Sequence, residues 1–309
     1  AVVIDHITIE TGSKIWKSGL LGAEITTNGF AGCSAGYVST IRNCTIQEGV
    51  VIGYKGDQDK IGSFAGRLQG SIENCVSYAT VMGTDYVGGI IGTRDNALGN
   101  CSVENCTFGG KVVASGKDAG GIVGGGYQNG TAPNGGKISI MSCTVSGTVS
   151  GDRNVGGILG ADEYVAQSWG GYKFTDNTFT GKVSGNANVG AMIGYYMSMN
   201  MYDNISGNRY AADCGADKPM GGIWLIDTSC ENPSELDGVL YINTANGTAG
   251  LPVVNGCSWK TGHNRTDDPL GKDISKLFAV IGAEVLLGDV DQNGEIDVDD
   301  VLLLIDYTL

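Results

Sequence analysis

Short apolar runs of four to six residues alternate with clusters of Gly, Asn and Asp between about residues 25 and 210. Apolar and polar side chains alternate within the runs, which predicts short β-strands, and the intervening clusters predict turns. No single unit of two or three such strands can bury its apolar face alone. We therefore expect the units to stack, to pair their backbones and to share one continuous core.

A tetrapeptide that ends in glycine recurs six times in this region, and its closing glycines are 34, 26, 32, 36 and 34 residues apart. The glycines favour tight corners and close approach of backbones. The period predicts a parallel β-solenoid with one coil per unit, and six coils at a strand spacing of ~4.8 Å make a stack of about 30 Å. The copies are residues 29–32, 63–66, 89–92, 121–124, 157–160 and 191–194, and the second apolar segments that follow are 41–45, 72–76, 103–107, 140–144 and 174–178.

These tetrapeptides resemble the GLUG motif, which occurs in repeat regions of large bacterial surface proteins, including some secreted peptidases and adhesins. The resemblance covers roughly residues 25–210, and the first and last copies are degenerate, as terminal repeats often are. We therefore predict an all-β chain with a right-handed parallel β-helix over residues 1–210. The resemblance implies an extracellular or cell-surface location in a bacterium.

Four of the nine cysteines occupy the same place in successive units, namely Cys44, Cys75, Cys106 and Cys143. In a solenoid they would form an inward ladder, with ~4.8 Å between neighbours and parallel Cβ vectors. A disulfide needs converging vectors and a shorter Cβ separation, so we expect buried, reduced thiols. Asn177 takes this place in the fifth unit and would continue the ladder with an asparagine.

Residues 211–287 lack the repeat and are expected to cap the open end of the solenoid. Within them, 239–243 predict a strand, and 273–280 predict a short capped helix. Cys214 and Cys230 are the best candidates for a disulfide in this part of the chain.

The segment from residue 288 onward places oxygen-bearing side chains at the ligand positions of an EF-hand-type loop. Gly294 lies at the sixth position, where such a loop bends, and Glu295 would contribute its backbone carbonyl. Calcium prefers six to eight hard oxygen ligands, so the segment predicts a Ca²⁺ site. The side-chain ligands would be Asp289, Asp291, Asn293, Asp297 and Asp300.

This loop and the predicted helix from Val301 onward resemble one repeat of a bacterial type I dockerin, which binds a cohesin. The resemblance covers residues 288–309, whereas a dockerin carries two repeats. Ile305 and Asp306 stand where the family often has a Lys-Arg pair. The resemblance implies a cohesin-like partner and makes Val298 and Asp299 the candidate contact residues.

The net charge is −14 and the sequence pI is near 4.4, which argues against nucleic acid or an anionic membrane as the partner. No apolar run approaches the ~20 residues that a membrane-spanning helix needs. The composition therefore suits a protein in a calcium-containing medium.

No catalytic constellation stands out in the sequence. The two histidines are His6 and His263, and a nucleophile pair of Cys257 with His263 is conceivable, although a turn-rich surface loop explains the same residues. The nearest pair of acids, Asp162 and Glu163, lies in an insertion after the fifth tetrapeptide. We therefore expect no enzymatic activity.

Aromatic residues are concentrated in the fifth and sixth units. Spaced along one face of a solenoid, they could stack on sugar rings, whereas the alternative is that some of them pack inward or close the insertion. The candidate carbohydrate-binding residues are Tyr164, Trp169, Tyr172, Tyr195, Tyr196 and Tyr202.

The sequence as a whole predicts a structural or adhesin-like scaffold that is assembled through a calcium-dependent tail. One alternative is a carbohydrate-active enzyme or carbohydrate-binding module of a cellulosome-like complex. Another is the subunit of an extracellular filament in which neighbouring copies bind one another. Carboxylates clustered on one coil face would favour the enzyme.

Overall fold

The computed structural model describes most of the repeat region and short parts of the C-terminal third. The described residues are 2–15, 39–54, 59–68, 70–94, 101–126, 138–162, 173–197, 205–226, 239–243, 258–261 and 277–281. Their regular structure is almost entirely β. Within these ranges, no helix is long and apolar enough to span a bilayer.

The described strands form five sheets, named A to E in the order in which the chain visits them. Sheet A contains β1 (Val2–Asp5), β4 (Ser39–Arg42), β9 (Gly70–Glu73), β14 (Cys101–Glu104), β19 (Ile138–Met141), β24 (Lys173–Thr175) and β29 (Ile205–Ser206). Sheet B contains β2 (Thr8–Ile9), β5 (Thr45–Ile46), β10 (Val76–Ser77), β15 (Thr107–Phe108), β20 (Thr144–Val145), β25 (Thr178–Phe179), β30 (Asn208–Ala211) and β34 (Phe278–Ile281). Sheet C contains β3 (Lys14–Ile15), β6 (Val51–Gly53), β11 (Thr80–Gly83), β16 (Lys111–Ala114), β21 (Thr148–Ser150) and β26 (Lys182–Ser184).

Sheets D and E complete each pass of the chain. Sheet D contains β7 (Ile61–Gly62), β12 (Val87–Gly88), β17 (Lys117–Gly120), β22 (Arg153–Gly156) and β27 (Ala187–Gly190). Sheet E contains β8 (Ala65–Leu68), β13 (Ile91–Arg94), β18 (Val123–Gly126), β23 (Leu159–Asp162), β28 (Ile193–Met197), β31 (Met220–Ile226), β32 (Val239–Asn243) and β33 (Ser258–Thr261).

One pass through sheets A to E is called a level here, and strands of consecutive levels pair in parallel. Strand β9, for example, pairs with β4 on one side and β14 on the other. Strands β31 and β32 pair antiparallel at the far end of sheet E. The parallel β-solenoid that the repeat predicts is therefore confirmed, while its right-handed winding stays a prediction.

Apolar side chains of equivalent positions stack inside the solenoid. The register of sheet A aligns Ile41, Ile72, Val103, Ile140 and Phe174, all 5% exposed or less. Sheet C aligns Ile52, Val81, Val112, Val149 and Val183 in the same way. Because side chains of a strand alternate between its two faces, an unchanged register keeps every level's apolar side chains in the core.

Four of the closing glycines, namely Gly92, Gly124, Gly160 and Gly194, lie against the backbone at sheet D of the preceding level. A Cβ added to Gly124 would lie 2.4 Å from the carbonyl carbon of Tyr86, and one added to Gly194 would lie 2.4 Å from that of Asn154. No side chain fits in that space without moving the backbone. The predicted close approach at these glycines is thus confirmed.

In four of the described tetrapeptides, the first residue faces sheet B of the next level. A Cβ on Gly89 would lie 2.6 Å from the ring of Phe108, and one on Gly157 would lie 2.6 Å from the ring of Phe179. Where this position is Ser63, the facing residue is Ser77, and their hydroxyls are 2.7 Å apart. The size of the facing residue in sheet B therefore limits the size of the first residue of the tetrapeptide.

The described part of residues 211–287 contains one element that the sequence predicts and one that differs from the prediction. The predicted strand at 239–243 is confirmed as β32. The predicted helix over 273–280 is wrong for its last three residues, because Phe278–Ile281 is a strand that pairs in parallel with β30. That pairing buries Phe278 to 5% exposure against the ring of Phe174.

Candidate functional site

A sharp corner between sheets A and B recurs in every level. Its residue has a left-handed backbone, with φ between 52° and 59° at His6, Asn43, Asn74, Asn105, Ser142 and Asp176. Asn and Asp adopt this conformation more readily than most residues. After five of these corners the following residue is buried, and it is a cysteine in four of them, whereas Ile7 after His6 is 41% exposed.

The four cysteines that follow these corners form a column of buried thiols. Cys44, Cys75, Cys106 and Cys143 are free and are exposed by 1% or less. The Sγ of Cys75 donates to Glu73 O at 3.3 Å and lies 3.8 Å from Ile41 O of the preceding level. Cys106 and Cys143 repeat this arrangement. The predicted ladder of buried, unbridged thiols is confirmed.

Asparagines continue the thiol column toward the C-terminal end. Asn177 Oδ1 accepts the backbone N–H of Cys143 at 3.0 Å, and Asn177 Nδ2 donates to Ile140 O at 2.9 Å. Asn208 Oδ1 accepts from both the backbone and the side chain of Asn177 at 3.0 Å. Asn177 thus continues the ladder as predicted, and Asn208 adds a further amide that the sequence analysis missed.

The buried thiols at the centre of the column have raised pKa values, as expected of unreactive core residues. The pKa of Cys75 is raised by its hydrogen bond with Cys106 and by burial, and the pKa of Cys106 is raised by its hydrogen bond with Cys143 and by burial. A thiol that stays protonated at neutral pH is a poor nucleophile and a poor metal ligand. In the described part of the chain, no three His, Cys, Asp or Glu side chains are placed to hold a metal ion.

A second polar column lies in sheet D, at the second residue of β17, β22 and β27, and the sequence analysis missed it. Asp118 is 0% exposed, and its Oδ1 accepts from Asn154 Nδ2 at 2.7 Å. Asn154 Oδ1 in turn accepts from Asn188 Nδ2 at 2.8 Å, and Lys117 Nζ lies 3.5 Å from Asp118 Oδ2. A sequence pattern could have revealed this column, because polar residues recur three places before several tetrapeptides. The residues at this place are Lys60, Tyr86, Asp118, Asn154 and Asn188, and all have a left-handed backbone with φ between 51° and 62°.

Charged side chains border this column on its N-terminal side. The ring of Tyr86 has Lys60 Nζ at 5.6 Å and Lys117 Nζ at 5.3 Å from its centroid. The Asp85 carboxylate accepts the backbone N–H of Lys117 at 2.7 Å. These contacts join neighbouring levels, so the group acts as a polar brace between coils.

The described histidine does not form a catalytic pair with a thiol. His6 Nδ1 lies 2.6 Å from Asp5 Oδ1, and Arg42 binds the other carboxylate oxygen through Nε at 2.9 Å. Hydrogen bonding by Asn43 and the charge of Arg42 lower the pKa of Asp5. His6 is exposed on the outside of the corner, whereas Cys44 points into the core.

Most of the predicted site residues lie outside the described residues. These are the calcium ligands from Asp289 to Asp300, the partner-contact residues Val298 and Asp299, and the pair Cys257 and His263. The same is true of the aromatic residues Tyr164, Trp169, Tyr172 and Tyr202. Cys214 is described and is a free, buried thiol, while Cys230 lies outside the described residues.

Two candidate sugar-binding aromatics are described, and both are buried. Tyr195 and Tyr196 are each 4% exposed. Both lie in β28, which β31 covers on its outer edge, and Tyr196 packs into the main core. The Tyr195 ring fills the space above Gly222, where an added Cβ would lie 2.8 Å away. Both side chains are therefore buried and do not form a stacking surface.

Threonine occupies five of six aligned positions on the outward face of sheet B. The register aligns Thr8, Thr45, Thr107, Thr144 and Thr178, with Val76 between the second and third. Thr8 and Thr144 are exposed and the other threonines are half-buried. The neighbouring outward positions of sheet C include the exposed Lys111, Thr148 and Lys182.

No family model and no curated protein matches the chain. A solved structure named as a putative immunoglobulin A1 protease from Bacteroides ovatus matches 66% of this chain and 63% of its own, with 21% identity and a TM-score of 0.41. That name contradicts the expectation that the chain is not an enzyme, and we withdraw that expectation. At this similarity the match assigns no activity, substrate or partner. The chain is a parallel β-solenoid with two internal polar columns.

Proposed function

We propose that the chain is an extracellular scaffold of a bacterial surface, with GLUG-type repeats that form an adhesin-like rod and a dockerin-like tail that binds calcium. The observation that carries the proposal is the unbroken register of the levels. Parallel pairing joins each described level to the next, and hydrogen bonds of the thiol, asparagine and aspartate columns add links between several of them. A repeat array of this kind gains length without a new core.

The buried columns support the structural role. Five of the six left-handed corners between sheets A and B are followed by a Cys or Asn side chain that bonds to the backbone of its own or a neighbouring level, as Cys75 and Asn177 do. A buried polar group costs about 1–3 kcal/mol when it is left without a partner. A slip between levels would break many such bonds at once, so the columns favour one stiff arrangement.

The outward faces support a role in contact with other molecules. Thr8, Thr45, Thr107, Thr144 and Thr178 align along one side of sheet B, with Val76 between Thr45 and Thr107, on strands spaced ~4.8 Å apart. Extended surfaces of this kind are what repeat proteins use for binding. Neighbouring copies or a polysaccharide are the ligands that such a polar, regular face suits.

The tail supports attachment to a partner. Five aspartates within twelve residues repel one another, and calcium bound by four of them would remove much of that repulsion and order the loop. The loop would then start the helix from Val301 and present Val298 and Asp299 to a cohesin-like protein. The ligands would be Asp289, Asp291, Asn293, Asp297 and Asp300, with the carbonyl of Glu295.

Calorimetry of calcium binding to the full chain tests the tail. We expect one site, and we expect Asp291→Ala and Asp300→Ala to weaken calcium binding at least about tenfold, since each removes a ligand oxygen. Asp299→Ala is the matched control, because it removes the same charge from the same loop at a position that supplies no ligand.

The partner role is tested with an isolated cohesin domain as the probe. Calcium-dependent capture of the full chain, lost in Asp291→Ala and weakened in Asp299→Ala despite normal calcium binding, would support the proposal. If Asp291→Ala and Asp300→Ala both bind calcium with wild-type affinity, the proposed calcium site is wrong, and so is the assembly role that depends on it.

A further inference from the structure

One step of the second polar column brings an amine, a carboxyl group and an amide together. Each described level of this column has a corner residue with a left-handed backbone and a residue directly before it. Among these pairs, only the step from Lys117 and Asp118 to Asn154 supplies all three groups. The described pairs are Asp59 with Lys60, Asp85 with Tyr86, Lys117 with Asp118, Arg153 with Asn154 and Ala187 with Asn188.

The carboxyl group of Asp118 contacts both the amine and the amide. Lys117 Nζ lies 3.5 Å from Asp118 Oδ2, and Asn154 Nδ2 donates to Asp118 Oδ1 at 2.7 Å. One oxygen of this carboxyl group can therefore take a proton from the amine, and the other can give a proton to the amide nitrogen.

A second amide contacts the oxygen of the first. Asn154 Oδ1 accepts a hydrogen bond from Asn188 Nδ2 at 2.8 Å. A donor fixed in this position stabilises negative charge that develops on the amide oxygen when a nucleophile attacks its carbon. The column thus holds a nucleophile, a proton carrier, an electrophilic carbon and an oxyanion donor in contact.

These groups are largely shielded from water. Asp118 is 0% exposed, Asn154 is 4% exposed, and the side chain of Lys117 is 33% exposed. The ring of Tyr86 is itself buried, and its centroid lies 5.3 Å from Lys117 Nζ. A site with little water strengthens the electrostatic interactions among reacting groups and limits competing hydrolysis.

The register keeps the reacting groups within reach of one another. Lys117 pairs with Arg153, so Asn154 is the next residue along the neighbouring strand. Paired strands lie ~4.8 Å apart, and the four-carbon stem of a lysine spans that distance. Two groups held side by side in one folded chain react as if their concentration were very high, up to about 10⁵–10⁸ M for well-oriented pairs.

We propose that Lys117 and Asn154 form an intramolecular isopeptide bond, with Asp118 as the general acid and base and Asn188 as the donor to the reacting oxygen. The bond joins β17 to β22 and links two consecutive levels covalently. It is independent of the proposed calcium-binding tail and goes beyond the proposed scaffold role.

The reaction needs no further reagent. Asp118 Oδ2 takes a proton from the Lys117 ammonium group, and the neutral amine attacks Asn154 Cγ. The new C–N bond forms while the π electrons of the carbonyl group move to Oδ1, where Asn188 donates. Asp118 then gives a proton to Nδ2 and takes one from Nζ, so the Cγ–Nδ2 bond breaks and its electron pair leaves with ammonia. The ion pair ends as a neutral amide and a protonated Asp118, which avoids an unpaired buried charge.

The intact mass of the purified full chain, measured after denaturation, tests the proposal. We expect the chain to be lighter than its sequence requires by the mass of one ammonia molecule. The full sequence mass would overturn the proposal and leave Lys117 and Asp118 as an ion pair.

Digestion with trypsin locates the bond. Trypsin does not cleave after a lysine whose side-chain nitrogen is part of an amide. We therefore expect residues 112–137 to stay in one peptide that is joined covalently to residues 154–173. Complete cleavage after Lys117, or an ammonia loss that maps to other residues, would overturn the proposal.

Two variants test the roles of the residues. Lys117→Arg keeps the positive charge without the amine nucleophile, and Asp118→Asn keeps the shape of the side chain without its proton transfer, so both should have the full sequence mass. Lys111→Arg is the matched control, because Lys111 is an exposed lysine of the same level, and it should keep the ammonia loss. An ammonia loss that persists in Lys117→Arg would overturn the bond, and one that persists in Asp118→Asn would overturn the role of Asp118. The wild-type mass and peptide map decide whether the bond exists even where a variant fails to fold.

Discussion

At the scale of single residues, the buried position after the left-handed corner is filled by cysteine in some levels and by asparagine in others. The residue after the left-handed corner is buried beside backbone carbonyls, and it is Cys in four levels and Asn at Asn177 and Asn208. A thiol is small and weakly polar and tolerates imperfect hydrogen bonds. The amide of Asn177 bonds both an N–H and a carbonyl of the preceding level, so its removal leaves more buried polar groups without a partner.

This difference predicts unequal costs along one column. Asn177→Ala leaves the N–H of Cys143 and the carbonyl of Ile140 without this partner, so we expect a loss of about 3 kcal/mol in the free energy of unfolding. Cys75→Ala removes one buried sulfur atom and should cost about 1 kcal/mol. Denaturant unfolding of the two variants makes the comparison, and equal losses would contradict the assigned hydrogen bonds.

At the scale of elements, the tetrapeptide and sheet B of the next level act as a matched pair. Glycine stands opposite the rings of Phe108 and Phe179, and Ser63 stands opposite Ser77. The motif therefore tolerates a serine where the residue across the core is small. The glycine pattern reflects packing between levels as well as the need for a corner.

A double-mutant cycle at Ser63 and Ser77 tests this pairing. Ser77→Phe alone overfills the core and should cost about 1–3 kcal/mol. Ser63→Gly alone removes the partner of a buried hydroxyl and should cost about 1 kcal/mol. The double variant restores the glycine–phenylalanine pair of other levels and should recover most of both losses. Additive losses would show that the two positions are independent.

At the scale of the whole molecule, the levels are interchangeable modules. Lys117 aligns with Arg153, and Gly120 aligns with Gly156, so equivalent strands superpose one level apart. Each level contacts its neighbours and lacks a core of its own. Stability is then close to a sum over levels and their interfaces.

Deletion of one whole level tests the modular arrangement. Removing residues 117–152 joins Gly116 to Arg153 and keeps every remaining strand in register. We expect a folded β-protein with a smaller dependence of unfolding on denaturant, because less surface is exposed on unfolding. Removal of residues 117–134 is the control, since it puts the strands out of phase. A folded control or an unfolded whole-level variant, judged by circular dichroism, would contradict the register.

The sequence by itself determined the features that repeat locally. The recurring tetrapeptides, the Asn-Cys corners and the strand period predict parallel stacking, close glycine contacts and a thiol column, and the structure has all three. These follow from one unit's own residues, because a parallel stack places each residue beside its equivalent in the next level.

Only the tertiary structure decided the features that depend on unlike residues from distant positions. The buried bond between Asp118 and Asn154, the pairing of Ser63 with Ser77 and the burial of Tyr195 are of this kind. Phe278–Ile281 became a strand because β30 offers an edge and Phe174 a ring to pack on, against the local preference for a helix. Such contacts join residues whose proximity no local pattern encodes, so packing outweighs propensity there.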